Sequence, residues 1–237
     1  MKVIKVKDSE TMSVKAAEML SAAVKRLAKP VLGLATGSTP KRMYELLIEQ
    51  YKSGDITFAN AISFNLDEYV GLGPDHIGSY QYYMNEKFFN GVNIQPENAH
   101  IPNGLADCLQ TECDTYEQQI TEAGKLDFLV LGIGENGHIG FNEPGTAFDS
   151  RTHVVELTPS TREVNARFFE RPEDMPKEAL TMGLATIMDA KEIILLVQGE
   201  RKAAILKEVI HGPITEDVPA SILQKHPNIT VITDLDV

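Results

Sequence analysis

Three short segments hold most of the side chains that could do chemistry. Residues 64–72 read FNLDEYVGL, and the adjacent carboxylates Asp67 and Glu68 end a buried apolar run. Two neighbouring carboxylates there cannot both face a core. One is expected to reach into the space beyond the strand, where a pKa raised by burial suits it to general-base work; the alternative is a helix cap or a solvated loop pair. Residues 131–145 read LGIGENGHIGFNEPG. Five glycines surround Asn136, His138, Asn142 and Glu143. Glycine at this density allows left-handed turns and close backbone approach, which serves a ligand better than a core. His138 is a proton shuttle for neutral pH, and Glu143 is placed to hold one ring nitrogen and fix the tautomer. Residues 32–40 read LGLATGSTP. Thr36, Gly37, Ser38 and Thr39 form a turn with free N–H groups and hydroxyls ahead of a helix, a cradle for a phosphate. It is not a Walker A loop, because no Gly-Lys-Ser/Thr closes it. Cations must complete such a site. Lys202 follows a strand near a helix start, and Arg162 and Arg167 lie in TREVNARFF at 161–169. Arginine holds phosphate bidentately, lysine as a point charge. There is no HxH, HExxH or cysteine cluster, so no metal is expected.

These segments need a scaffold that brings them together. Short apolar runs alternate with amphipathic stretches. Strands are expected at 3–6, 31–35, 61–66, 127–133, 192–198 and 229–233. Helices are expected after Asp8, from Pro40 with Thr39 as cap, and over 79–88, 107–123 and 200–210. Such alternation predicts an α/β fold with a mostly parallel central sheet and helices on both faces. In open parallel sheets, ligands bind beyond the carboxyl ends of the strands, and all three segments follow strands. The stretch 151–180, rich in charge and broken by Pro159, Pro172 and Pro176, reads as a flap over the site or a plain connection.

Composition narrows the partners. The chain has 237 residues, 43% hydrophobic and 24% charged, enough for one large α/β domain. Twenty-two Lys and Arg against 34 Asp and Glu give a formal charge of −12. So acidic a chain is not expected to bind nucleic acid or an anionic membrane. Cys108 and Cys113 read as reduced thiols on or near a helix, not a disulfide framework. No apolar run approaches a membrane span, and MKVIKVKDSE lacks a signal peptide's apolar core. The expected compartment is the cytoplasm.

Taken together, LGLATGSTP, FNLDEYVGL, GIGENGHIGFNEPG and TREVNARFF resemble the glucosamine-6-phosphate deaminases, over essentially the whole chain. The resemblance implies a Rossmann-like single domain over 1–237 with a lid at about 151–180. It implies a cofactor-independent hydrolase of amino-sugar and N-acetylglucosamine catabolism, turning glucosamine 6-phosphate and water into fructose 6-phosphate and ammonia. His138, assisted by Glu143 and Asn136, would open the pyranose. Asp67 would take the C2 proton and return it to C1. Residues 36–39, with Gly137, Arg167 and Lys202, would hold the substrate and its 6-phosphate.

Two departures stand out. Many members carry Asp where this chain has Asn136. Longer members are hexamers activated by N-acetylglucosamine 6-phosphate through basic residues after the NEPG motif; here His153 and Val155 occupy those places, and the longer C-terminal extension is missing. A monomer or small homo-oligomer without that activation is expected. The alternatives are a 6-phosphogluconolactonase-like hydrolase, against which Asp67 and Glu143 speak, and a non-catalytic sugar-phosphate sensor, which usually carries a DNA-binding domain that this chain lacks.

Overall fold

The computed structural model describes residues 1–166, 169, 171 and 174–236. In chain order the elements are β1 (Lys2–Lys5), α1 (Ser9–Arg26), β2 (Val31–Leu34), α2 (Lys41–Lys52), β3 (Ile62–Asn65), β4 (Asp67–Tyr69), α3 (Tyr80–Lys87), β5 (Ala99–His100), α4 (Leu109–Glu122), β6 (Phe128–Leu131), β7 (His153–Glu156), α5 (Pro159–Asn165), β8 (Glu178–Thr181), α6 (Leu184–Met188), β9 (Ile193–Val197), α7 (Ala203–His211) and β10 (Ile229–Thr233). The strands and helices expected from the periodicity are present to within two residues. The exception is the start of α7, where Glu200–Lys202 forms a tighter 3-10 turn.

Seven strands form one parallel sheet in the order β1-β10-β9-β6-β2-β3-β5. Its central strands, FLVL in β6 and IILLV in β9, are buried throughout, as a sheet covered on both faces requires. Alternate residues serve different layers. Leu32, Leu34, Phe128, Val130, Ile194 and Leu196 pack with the buried faces of α1, α2 and α3. Val31, Leu129, Leu131, Ile193, Leu195 and Val197 pack with those of α4, α6 and α7. Each such aliphatic side chain contributes roughly 1.5–3 kcal/mol on burial. The Rossmann-like α/β arrangement read from the sequence is therefore the one observed.

Local chemistry sets the element ends. The Asp8 carboxylate caps α1, accepting from Thr11 N at 2.8 Å. At α2 the expectation is corrected. Pro40 itself occupies the cap position and no side chain caps the helix, which leaves the Thr39 hydroxyl free of that task.

Residues 151–180, expected to be irregular, carry β7, α5 and β8. The strands β7 and β8 pair antiparallel with each other and with β4 in a second sheet of order β4-β8-β7. Asp67 stands opposite Thr181 in that register. β4 begins one residue after β3 ends, so the chain passes from the main sheet into the small one at Asp67. Among the described residues no helix is long and apolar enough to cross a membrane.

Candidate active site

β2 has β6 on one side and β3 on the other. From β2 the chain runs through α2 outward to β3. From β6 it moves the opposite way, to β9 and then β10. That reversal opens a crevice at the carboxyl ends of β2 and β6. A cleft of about 720 Å³ lies there, lined by residues 35–40, by Asp67 and by much of the 132–141 loop. The three segments read as one site are thus brought together.

The turn after β2 is held from below by two phenols. Tyr44 on α2 donates to Ala35 O at 2.6 Å, and Tyr83 on α3 donates to Gly37 O at 2.6 Å. Gly37 takes φ +107°, a conformation that favours glycine, with open space where a side chain would stand. Thr36, Gly37, Ser38 and Thr39 all face the cleft.

Asp67 and Glu68 divide as strand geometry demands, since successive residues point to opposite sides. Glu68, 2% exposed, turns to the start of α3. It accepts backbone N–H bonds from Tyr69 at 2.8 Å, Tyr80 at 2.9 Å and Gln81 at 2.8 Å. Burial pushes its pKa up to about 7 against the pull of those donors. Asp67, 7% exposed, lines the cleft, and among the described residues no donor bonds its carboxyl. Burial, with the Glu68 carboxylate beside it, pushes Asp67 up to about 8. A carboxylate near that value is a base poised for neutral to mildly alkaline pH.

The loop after β6 aims His138. A methyl group at position 134 would stand 2.2 Å from His138 Cε1, so Gly134 is what lets the imidazole lie against the backbone. Asn136 folds back within the loop. Its Oδ1 accepts from His138 N at 3.2 Å and its Nδ2 donates to Glu143 Oε2 at 2.6 Å. The expected hydrogen bond between Glu143 and the imidazole is drawn out to an ion-pair contact: Nδ1 is 3.6 Å from Oε2, the oxygen that also takes the Asn136 amide. Burial alone would raise the Glu143 carboxyl. The His138 ring, the Thr161 hydroxyl and the Asn136 amide outweigh it and hold the group at about 2. It is ionised throughout the physiological range.

Lys202 lines the cleft across from the loops, and burial lowers its pKa, with the Glu135 charge working the other way. Arg201, unremarked in the sequence, lines it too, as do Tyr80 on α3 and Asn165 on α5. None of these sits in a glycine-rich motif, so only the fold reveals them. Arg167 lies outside the described residues. Arg162 does not line the cleft; its Nη2 is 3.5 Å from Met175 O. Gly137 is also turned away. A side chain there would meet Val218 and Ile205, and its carbonyl accepts from Ala220 N at 2.9 Å, so its place in the loop is structural.

Fold and site together define a Rossmann-like α/β protein with a carboxylate, an imidazole and cations around one cleft. The chain belongs to the family of glucosamine-6-phosphate isomerases and 6-phosphogluconolactonases, which it matches over residues 7–232. It is 54% identical over 234 residues to the glucosamine-6-phosphate deaminase of Thermoanaerobacter pseudethanolicus, covering 99% of this chain and 92% of that one. A solved structure described as a monomeric glucosamine-6-phosphate deaminase is 46% identical, with a TM-score of 0.96 over 98% of this chain and 97% of the other. A 6-phosphogluconolactonase from Trypanosoma cruzi shares only the fold, at 19% identity and a TM-score of 0.77 over 98% and 93% of the two chains. The similarity therefore lies on the deaminase side of the family. The expected label of hydrolase is corrected to an isomerase-type enzyme, after the glucosamine-6-phosphate isomerases of the family's description.

The Asp67 shift sets a stability expectation. Unfolded, the group ionises near its ordinary value of 3.8; folded, it does so near 8. Between these values the folded state binds the extra proton, so this group's contribution falls as pH rises and is constant above about 8. Asp67→Asn removes that loss. The variant's melting temperature relative to wild type is expected to climb between pH 5 and pH 8.5, by a margin on the order of a few kcal/mol in stability. A difference independent of pH would mean that the carboxyl is not shifted.

Proposed function

We propose that this chain converts glucosamine 6-phosphate and water to fructose 6-phosphate and ammonia, in amino-sugar catabolism. The observation that carries the reading is the buried Asp67 carboxyl, without a donor among the described residues, in one cleft with His138 and Lys202. A lactonase needs no base for a C–H proton; an aldose–ketose isomerase does.

The reaction then follows from the residues. The phosphate sits on the backbone and hydroxyls of residues 36–39, with Lys202 and Arg167 as cations, and that anchoring orients the sugar. His138 moves a proton between the anomeric hydroxyl and the ring oxygen, so the pyranose opens to the aldehyde. Glu143 stands beside the imidazole as a fixed negative charge, and Asn136, an amide where many relatives have a carboxylate, holds Glu143 in place. Asp67 takes the C2 proton, giving an enolamine, and returns it to C1. The resulting C2 iminium adds water, and the carbinolamine expels ammonia to leave the ketone. Residues 1–237 form one domain for this chemistry, and residues at about 151–180 serve as its lid, closing over the sugar. Thr161 and Asn165 on α5, at the cleft wall, support that role.

The monomeric deaminase at 46% identity supports a monomer or small oligomer. His153 and Val155, in the places of the activator's basic residues, support the absence of activation by N-acetylglucosamine 6-phosphate. The free thiols Cys108 and Cys113 suit a reducing cytoplasm.

The test is ammonia release from glucosamine 6-phosphate, coupled to fructose 6-phosphate detection. Equal amounts of both are expected, with hyperbolic saturation that N-acetylglucosamine 6-phosphate leaves unchanged. Binding without turnover would favour the sensor, and turnover only of 6-phosphogluconolactone the lactonase. Asp67→Asn is expected to lower kcat by at least about 10³-fold while phosphate binding persists. Lys202→Ala is expected to act mainly on KM, raising it roughly 10- to 100-fold through loss of a charged hydrogen bond; an unchanged KM would remove Lys202 from the phosphate site.

A further inference from the structure

We propose that Thr161 is a positioning residue for this reaction: its hydroxyl fixes Glu143 against His138, which makes helix α5 part of the ring-opening apparatus. The proposal rests on the ring-opening role given to His138 above.

The two oxygens of Glu143 are held from opposite sides. Oε2 takes the Asn136 amide at 2.6 Å and faces His138 Nδ1 at 3.6 Å. Oε1 takes the Thr161 hydroxyl in a short hydrogen bond, and Thr158 Oγ1 lies 3.3 Å from the same atom. The threonines belong to a different element. Thr158 is the cap of α5, accepting from Thr161 N at 3.3 Å, and its hydroxyl is 3.0 Å from Thr161 Oγ1. A proton given by Thr158 to Thr161, and one given by Thr161 to Glu143, make a relay of aligned hydroxyls that ends on the carboxylate. Capping α5 requires Thr158 alone. Nothing in that task sends the Thr161 hydroxyl to a carboxylate 18 residues back.

The terminal torsion of a glutamate is broad, so one partner on Oε2 does not fix the plane of the group. The second anchor on Oε1 does. With Thr161 in place, Oε2 stays presented to the imidazole; without it, the carboxylate swings and the contact with Nδ1 is averaged away. A displacement of that size in a catalytic array costs on the order of 10- to 100-fold in rate.

The experiment compares Thr161→Val, which keeps the shape and removes the hydroxyl, with Thr161→Ser, which keeps the hydroxyl. The valine variant is expected to lose roughly 10- to 100-fold in kcat, with KM within about twofold, because the phosphate site lies on other loops. Serine should restore kcat to within about threefold of wild type. A kcat for the valine variant within twofold of wild type, or a loss that serine fails to restore, overturns the proposal. If the valine variant does not melt cooperatively, Thr161→Ala reports the same lost hydroxyl against the same serine control. Wild-type enzyme that releases no ammonia would refute the functional reading itself, whereas active wild type with an unaffected valine variant refutes only the role of Thr161.

Discussion

Two consecutive carboxyls on one strand must face opposite ways, and this site is built around their unequal reception. Glu68 meets three backbone N–H groups, two of them at the start of α3 and one from Tyr69 beside it; among the described residues Asp67 meets none and is left over the cleft. A buried carboxyl without donors is costly to ionise, whereas one with three is compensated. The bonds from Tyr80 and Gln81 fix the first turn of α3. They thereby place Tyr80 at the cleft wall and Tyr83 beneath the turn at residues 36–39. One division of labour between neighbours sets a base, a helix end and a loop.

The cleft keeps its remaining charges apart. Glu143, ringed by donors, is ionised far below neutrality, while Asp67 stays protonated until about pH 8. The two carboxyls are thus set apart by their surroundings, one ionised beside the imidazole and the other held protonated to a much higher pH. Among the described residues, Arg201 and Lys202 in the turn after β9 bring positive charge to the cleft. The reversal of strand order around β2 lets residues from β2, β3, β6 and β9 meet at one edge.

Much of this was legible in the sequence, for physical reasons. Unbroken apolar runs such as FLVL and IILLV announce buried parallel strands, and a polar, glycine-rich segment after such a strand must lie at the sheet's carboxyl edge. Asp67, His138 and Lys202 were found that way. What escaped depends on partners distant in the chain. EALT becomes a strand because β4 offers it an edge, and HVVE because EALT then offers it one, so no local pattern foretells them. Glycine density marks the loop but does not separate Gly134, which makes room for His138, from Gly137, which packs against Val218. The spacing of His138 and Glu143 suggested a hydrogen bond, yet the ring stands 3.6 Å from Oε2, which takes the Asn136 amide. Tyr80 and Arg201 carry no motif, and nothing in TREVNARFF marks Thr161 out from its neighbours; the fold brings all three to the cleft.

The claim on which the rest depends is that Asp67 is a buried carboxyl without a donor. Following its carboxyl carbon by NMR across pH, with Asp67→Asn to assign the signal, reads this directly. A midpoint near 8 is expected, from burial with Glu68 alongside. A midpoint at the ordinary aspartate value, about 4, would show that water or a donor reaches the group, and would remove the base on which the isomerisation rests.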